Sequence, residues 1–240
     1  MINKKHLLSE IRQGDYAHAG GEEAIKLIMP FLEEKRRVLD AGCGLGGTAN
    51  YIQTSKKCDV IGIDIDHQAL KYGKSKYENV KFDLINIHKA SIAFPPNAFD
   101  AILFFNSFYS FKNQPKALHE ASAILEQNGI IIIFDYASNG EFTKSNPFPC
   151  TEDKVFAPIN LETIQNNIGN NYDVIIKNIT ELFIIWYKET ILRLKKDNTK
   201  LVTKFGATPY NLIYKSLTNL IDLLYQKQLL GVLIIATKRQ

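Results

Sequence analysis

Two acids and a run of glycines carry the first chemical signal in this chain. In Val38-Leu39-Asp40-Ala41-Gly42-Cys43-Gly44-Leu45-Gly46-Gly47 an apolar run ends in an acid, and four glycines follow within six residues. Thr48-Ala49-Asn50-Tyr51-Ile52 then opens a helix. Glycine lets a backbone turn sharply and come within contact distance of a ligand. Unpaired N–H groups at the start of the following helix favour an anionic ligand group. The segment therefore predicts a strand–loop–helix cradle for a nucleotide-like cofactor. Asp64 stands about 20 residues beyond the first glycines, at the end of a second apolar run, Asp59–Asp64. A carboxylate there is suited to accepting hydrogen bonds from ribose hydroxyls.

The elements that must position these groups alternate along the chain. Arg37–Ala41, Asp59–Asp64, Val80–Phe82, Phe99–Phe105 and Ile130–Phe134 read as strands. Between them lie helices from about Gly47 to Thr54, from His67 to Lys74, and from Pro115 through Leu125, the last closed by a cap at Gln127-Asn128-Gly129. Ile25, Ile28, Met29 and Leu32 share one helical face ahead of the first strand, and Pro30 bends or ends that helix. Unbroken β-branched strands belong to a parallel sheet covered on both faces. The pattern predicts an α/β fold, a doubly wound and mostly parallel seven-stranded sheet. Right-handed crossovers place the glycine loop at the carboxyl edge of the strands.

Beyond Asp135 the pattern changes. Ser138–Pro158 is loop-rich, and Asn160 can cap a helix bearing Leu161, Ile164 and Ile168. Tyr172–Ile179 reads as a strand, Glu181–Lys196 and Pro209–Gln228 as helices, and Leu229–Lys238 as a last strand. This predicts an antiparallel last strand with a helical lid inserted before it. The expected organisation is a single domain over 1–240: a helical cap over 1–36, a cofactor-binding core over 37–136, and a substrate loop, lid helices and last two strands over 137–240.

Composition narrows the class. The chain has 240 residues, 45% hydrophobic and 22% charged, with a formal net charge of +4. No dense Lys/Arg block interleaved with aromatics points to nucleic acid. The longest apolar runs fall short of the roughly 20 residues of a membrane span. Cys43, Cys58 and Cys150 lack paired spacing and read as free thiols of a reducing compartment. The five histidines are scattered, which argues against a metal site. The expectation is a cytoplasmic protein without signal peptide, nucleic-acid partner or membrane partner, either monomer or dimer.

The glycines alone leave the cofactor open. Gly42, Gly44 and Gly47 satisfy G-x-G-x-x-G, so a nicotinamide-dependent oxidoreductase is one reading. Asp40 before the first glycine, the lack of a second mononucleotide-binding half and the antiparallel edge argue against it.

Four ordered motifs resemble the class I S-adenosylmethionine-dependent methyltransferases: Val38–Gly47, Val60–Ile65, Phe99–Ile102 and Ile124–Asp135. Within them the chain is similar to the small-molecule branch of phosphoethanolamine methyltransferases. That similarity rests on Tyr16-Ala17-His18-Ala19-Gly20-Gly21-Glu22-Glu23-Ala24, on Asp135-Tyr136 and on the final Gly231…Ala236-Thr237-Lys238. The resemblance implies S-adenosylmethionine as cofactor, S-adenosylhomocysteine as product, and N- or O-methylation of a small-molecule acceptor. It places Asp40, Gly42, Gly44, Gly46, Gly47, Asp64, Ile65, Asn86, Ile87 and Asn106 around the cofactor. Ile65 would cover the adenine, and Asn86 stands where relatives carry an acid for its amine. Tyr16 is the implied catalytic residue, with His18 as a stand-in for a partner that this chain lacks. Tyr109, Ser110, Tyr136, Trp186 and Tyr187 are the implied acceptor pocket. The chain departs from the branch at Ser110, where a catalytic histidine is expected, and at Asn106, where an acid is expected. These departures detach the acceptor from the phosphobases and leave open a protein that binds the cofactor without catalysis.

Overall fold

The structure, a computed structural model, describes residues 2–143, 147 and 155–240. Its elements run α1 (Ile2–Arg12), α2 (Gly21–Ile28), β1 (Arg37–Ala41), α3 (Gly47–Lys56), β2 (Asp59–Asp64), α4 (His67–Lys76), β3 (Lys81–Leu84), α5 (Ala90–Ala93), β4 (Phe99–Phe105), α6 (Gln114–Ile124) and β5 (Leu125–Ser138). They continue as β6 (Ile159–Asn160), α7 (Ile164–Ile168), β7 (Tyr172–Asn178), α8 (Thr180–Lys196), α9 (Asn198–Phe205), α10 (Ala207–Tyr225) and β8 (Leu230–Lys238).

The strands form one sheet in the order β3-β2-β1-β4-β5-β8-β7, with the short β6 beside β5. The pairs from β3 through β5 are parallel, and β8 runs antiparallel to both neighbours. The strand order reverses between β1 and β4, which opens a crevice beyond their carboxyl ends, the usual ligand position in such sheets. Phe99–Phe105 is buried at every position, as a strand covered on both faces requires. Successive residues feed opposite layers. Val38, Leu103, Ile132 and Phe134 face the layer built with α1, α2, α3, α8 and α10. Leu39, Ile102, Ile131 and Ile133 face the layer built with α6 and α7.

Four local features differ from the sequence expectation, one of them Asn160, which lies in β6 while Thr163 precedes α7 in place of it. The Gln127-Asn128-Gly129 cap is instead part of β5, which starts directly after α6 at Leu125. Its pairing with β4 shifts register between Phe99 and Ala101, and Asn128, at φ +60°, supplies the left-handed residue in place of Gly129. The sheet has eight strands where seven were expected, because β6 adds to β5. The lid holds a further helix, α9, which Gly206 at φ +91° separates from α10, and it packs against α1. Pro30 acts as predicted: α2 ends at Ile28 and a 3-10 turn covers Met29–Leu32.

Candidate active site

The glycine loop joins β1 to α3 at the crevice. The N–H groups of Gly42 and Cys43 both donate to the Ile63 carbonyl, at 2.7 and 3.0 Å, so the loop crosses onto the end of β2. Gly42 has φ +85°, and a Cβ on it would stand 2.5 Å from Ser107 Cβ. Ser107 Oγ donates to the Ala41 carbonyl at 2.7 Å and pins the ends of β1 and β4 together. At Gly47 the constraint is a close approach: an added Cβ would lie 2.6 Å from the Asp15 carbonyl oxygen. A Cβ on Gly44 would meet nothing within 4 Å, so the loop is open on that side. No side chain caps the first turn of α3. Its amide groups are therefore available to an anionic ligand group. Gly46 is the residue preceding that turn, at φ +88°.

Asp64 ends β2 and reaches back to the loop. Its Oδ2 accepts the Gly44 N–H at 2.8 Å and its Oδ1 accepts the Asp66 N–H at 2.8 Å. The cap of α4 is Asp66, which accepts from Gln68 and Ala69. Asp40 is 1% exposed, and its Oδ2 has no hydrogen-bond partner. Burial, and next the charge of Asp64, push the Asp40 carboxyl up to about 7. Ile65 is 73% exposed and Leu84 57%, which leaves an apolar rim at the strand ends beside Asp64. Asn86 is exposed and its Oδ1 accepts the His88 N–H at 3.0 Å. Ile87 instead packs inward, in the layer of Leu39 and Ile63.

The segment after α1 lies across the loop. Asp15 holds it: its buried carboxylate accepts from Lys76 Nζ at 2.7 Å, Tyr77 Oη at 2.6 Å and Ser9 Oγ. Burial opposes ionisation there, yet the bonds from Lys76, Ser9 and Tyr77 hold the carboxyl below its ordinary value. Tyr16 is buried and its Oη donates to Glu22 Oε1 at 3.3 Å. Burial, then the Glu22 charge, raise the phenol well above its ordinary range, so it is a donor and not a base at neutral pH. His18 is 2% exposed, with Nδ1 2.9 Å from the Ala19 carbonyl and Nε2 3.0 Å from Thr48 Oγ1. A carbonyl can only accept, so Nδ1 carries the proton and Nε2 accepts from Thr48. Burial lowers the imidazole pKa to about 3. Both nitrogens are engaged, and the ring ties this segment to the start of α3.

On the other side of the crevice, Tyr109, Tyr136, Tyr187 and Asn106 line a cavity of about 200 Å3. The Tyr136 and Tyr187 hydroxyls are hydrogen-bonded to each other. Asn106 takes φ +55°, and its Nδ2 donates to Asp135 Oδ1 at 3.2 Å. Ser110 is exposed outside this cavity, with its Oγ donating to the Ser107 carbonyl. Trp186 also stands apart: its Nε1 donates to Glu23 Oε2 at 3.0 Å and its ring stacks over Gly20, so it braces the N-terminal segment.

Sequence reasoning gave no site role to Asp135, named only as part of the Asp135-Tyr136 resemblance, and missed Arg12. Asp135 is fully buried and gathers the N–H groups of Phe108, Tyr109 and Tyr136 at 2.7, 3.2 and 2.7 Å, besides the Asn106 amide. Its signal was an acid closing an apolar strand, as at Asp40 and Asp64. Arg12, at the end of α1, also lines the cavity. It had no signal, because α1 has a weak apolar pattern and Arg12 is brought to the site only by tertiary packing.

Among the described residues no helix is long and apolar enough to cross a membrane, and no cluster could hold a metal ion. Cys43 and Cys58 are free and buried, and Cys150 lies outside the described residues.

Comparison with known proteins follows the same lines. The chain is 22% identical over 204 residues to phosphoethanolamine N-methyltransferase of Triticum aestivum, covering 82% of this chain and 40% of that protein. It is 30% identical over 131 residues to the Plasmodium falciparum enzyme of the same name, covering 52% of this chain and 48% of that protein. It thus spans less than half the length of these relatives. Haemonchus contortus phosphoethanolamine N-methyltransferase 2, in complex with phosphomonomethylethanolamine and S-adenosylhomocysteine, superposes with a TM-score of 0.87 at 19% identity, covering 98% of this chain and 57% of that one. That likeness shows the fold. A family described as "Methyltransferase domain" matches residues 32–174, the span that contains the glycine loop, Asp64 and Asp135, and this decides against the nicotinamide reading. The chain belongs to the methyltransferase domain family.

Proposed function

We propose that the protein transfers the methyl group of S-adenosylmethionine to a small-molecule acceptor bound in the tyrosine-lined cavity. The observation that carries this reading is the uncapped, glycine-built start of α3 with the Asp64 carboxylate across it at the β1/β4 switch point. The residues present fit the cofactor. The buried Asp40 oxygen without a partner, the open side of Gly44 and the exposed Ile65 are unexplained by the protein's own packing. Asp64 would accept the ribose hydroxyls, Ile65 would cover the adenine, Asn86 would receive its amine, and the first amides of α3 would face the carboxylate end. When bound, S-adenosylmethionine supplies an electrophilic methyl on sulfur.

The protein's own part is alignment, worth roughly 7–11 kcal/mol when reactants are held in attacking geometry. Asp135 positions the turn after β4 through the backbone amides of Phe108 and Tyr109 and the Asn106 side-chain amide. Tyr16 remains a hydrogen-bond donor, and His18 has no free nitrogen to take a proton. Neither supplies a general base, so the reading favours an acceptor whose nucleophilic atom is already unprotonated near neutral pH, such as a carboxylate or a weakly basic aromatic nitrogen. His18 is accordingly proposed as a positioning residue.

The test is equilibrium titration of the full chain with S-adenosylhomocysteine, followed by a screen of amine, carboxylate and phenol acceptors for S-adenosylhomocysteine release. Micromolar binding with turnover of one acceptor class supports the reading. Failure to bind the product overturns it, and binding without any turnover favours a cofactor-binding protein instead.

A further inference from the structure

The cavity beside the glycine loop has a sign. Its lining includes Lys4, Lys5 and Arg12 and no acidic residue. Lys5 is already paired, donating to Asp66 Oδ2 at 2.8 Å. Arg12 is not: among the described residues it makes no ion pair, its single hydrogen bond runs from Nη1 to the Tyr16 carbonyl at 3.1 Å, and its Nε is buried without a partner. The hydroxyl-bearing side chains that share the cavity with it are Tyr187, Tyr136 and Tyr109, none of them a carboxylate. A guanidinium has five donors and stays charged; Arg12 is partly exposed, but its Nε is buried without a partner, so that edge of the group carries a desolvation penalty that the fold leaves uncompensated.

From this geometry we propose that Arg12 is the anchor for an oxyanion on the methyl acceptor, a carboxylate or a phosphoryl group at the end remote from the methylated atom. The proposal rests on the methyl-transfer reading above. A planar guanidinium offers Nε together with a terminal nitrogen as a two-pronged donor, the arrangement that matches two oxygens of one anionic group. The Tyr136–Tyr187 hydroxyl pair stands in the same cavity as a further polar partner for that group. The volume of about 200 Å3 lies below the roughly 300 Å3 of drug-sized sites, so the acceptor is small and its charge a large part of its recognition. The nearby Lys4 adds to the attraction from the rim. Arg12 would thus be a specificity-determining residue, carried on α1 and outside the matched family span of residues 32–174.

The direct test titrates wild-type protein, saturated with S-adenosylhomocysteine, with inorganic phosphate and separately with acetate. Binding of either, lost in Arg12→Met and partly kept in Arg12→Lys, is the expected result. The two titrants separate a phosphoryl from a carboxylate preference. The kinetic test compares acceptors in matched pairs that differ only in bearing a carboxylate, a phosphate, or the neutral methyl ester. Arg12→Met should raise KM for the anionic member about 30-fold or more, in line with loss of a charge-assisted contact, while kcat, KM for the neutral member and product affinity stay within about twofold. Should Arg12→Met prove unfolded by thermal denaturation, Arg12→Gln and the wild-type pair comparison still decide. No binding of either anion to the wild-type complex, or equal KM values for anionic and neutral partners, overturns the proposal while retained S-adenosylhomocysteine binding leaves the methyltransferase reading standing.

Discussion

The two walls of the crevice are built in opposite ways. The wall proposed for the cofactor is acidic and local: Asp40, the glycine loop and Asp64 come from consecutive strands, and Asp64 closes the loop by bonding the Gly44 amide directly. The wall proposed for the acceptor is basic and aromatic, and it is assembled from distant parts: Arg12 on α1, Asn106 after β4, Tyr136 in β5, Tyr187 on α8 and Leu220 on α10. One wall is fixed by backbone conformation and the other by packing of helices. Chemistry written into a local loop survives changes elsewhere, while chemistry assembled by packing can be rebuilt by altering a few helix positions. Cofactor choice and acceptor choice are thereby separable in this fold.

The sharpest way to break that separation is at Asp64. Asp64→Ala removes the bond to the Gly44 amide and the proposed ribose contacts together. Two bonds to a charged acceptor at about 1.5–3 kcal/mol each predict a loss of product affinity of about 100-fold or more. Calorimetric titration measures this. If the walls are independent, KM for the acceptor at saturating cofactor changes by no more than about threefold. A comparable loss on both sides would mean that the loop also shapes the acceptor cavity.

Gly42→Ala tests the cofactor wall through the backbone. The new Cβ would meet Ser107 Cβ at 2.5 Å at a φ of +85°. Overpacking and left-handed strain together predict a stability loss of about 2–3 kcal/mol in chemical denaturation. The Ser107 contact joins β1 to β4, so this substitution should also disturb the Ser107–Ala41 bond that places the neighbouring Asn106.

The same contrast explains what was legible before any coordinates. Arg37–Ala41, Asp59–Asp64 and Phe99–Phe105 are strands with the bounds read from sequence, because short, mostly apolar runs rich in Val, Ile, Leu and Phe leave little choice. The glycine loop was readable for the same reason. The start of β5 was not, because Asn128 adopts the left-handed conformation that composition assigns to Gly129. Trp186 was expected beside the acceptor and instead braces Glu23, since helical spacing fixes a face but not its neighbour. Arg12 lay unread for a deeper reason: an isolated arginine on a weakly patterned helix is indistinguishable from solvated surface until the tertiary fold buries it.

On the acceptor wall the corresponding change is Tyr187→Phe. It removes one member of the buried hydroxyl pair and with it that hydrogen bond. The stability loss should be about 1–2 kcal/mol, with product affinity unchanged and KM for the acceptor raised severalfold. A fall in product affinity of the same size would join the two walls and contradict their independence.

A pH dependence separates two buried acids of like titration. Burial raises both Asp40 and Asp135 to about 7. A raised carboxyl holds its proton in the folded state when the unfolded chain has released it. Its stabilising contribution is therefore complete below pH 4 and is lost as pH rises through 7, at up to about 1.4 kcal/mol per pH unit for each group. The surroundings differ, however. Asp40 has an oxygen without any donor, whereas Asp135 has four donors directed at its carboxylate. Asp40→Asn should thus flatten the fall in stability between pH 5 and 7 by about 1 kcal/mol per unit and leave the cofactor-free protein more stable at pH 8. Asp135→Asn sets an amide N–H against donors, so it should destabilise the protein at pH 8. Denaturation of both variants across this range measures the difference. Equal flattening and an equal gain at pH 8 in the two variants would show that burial alone, and not the donor set, governs these carboxyls.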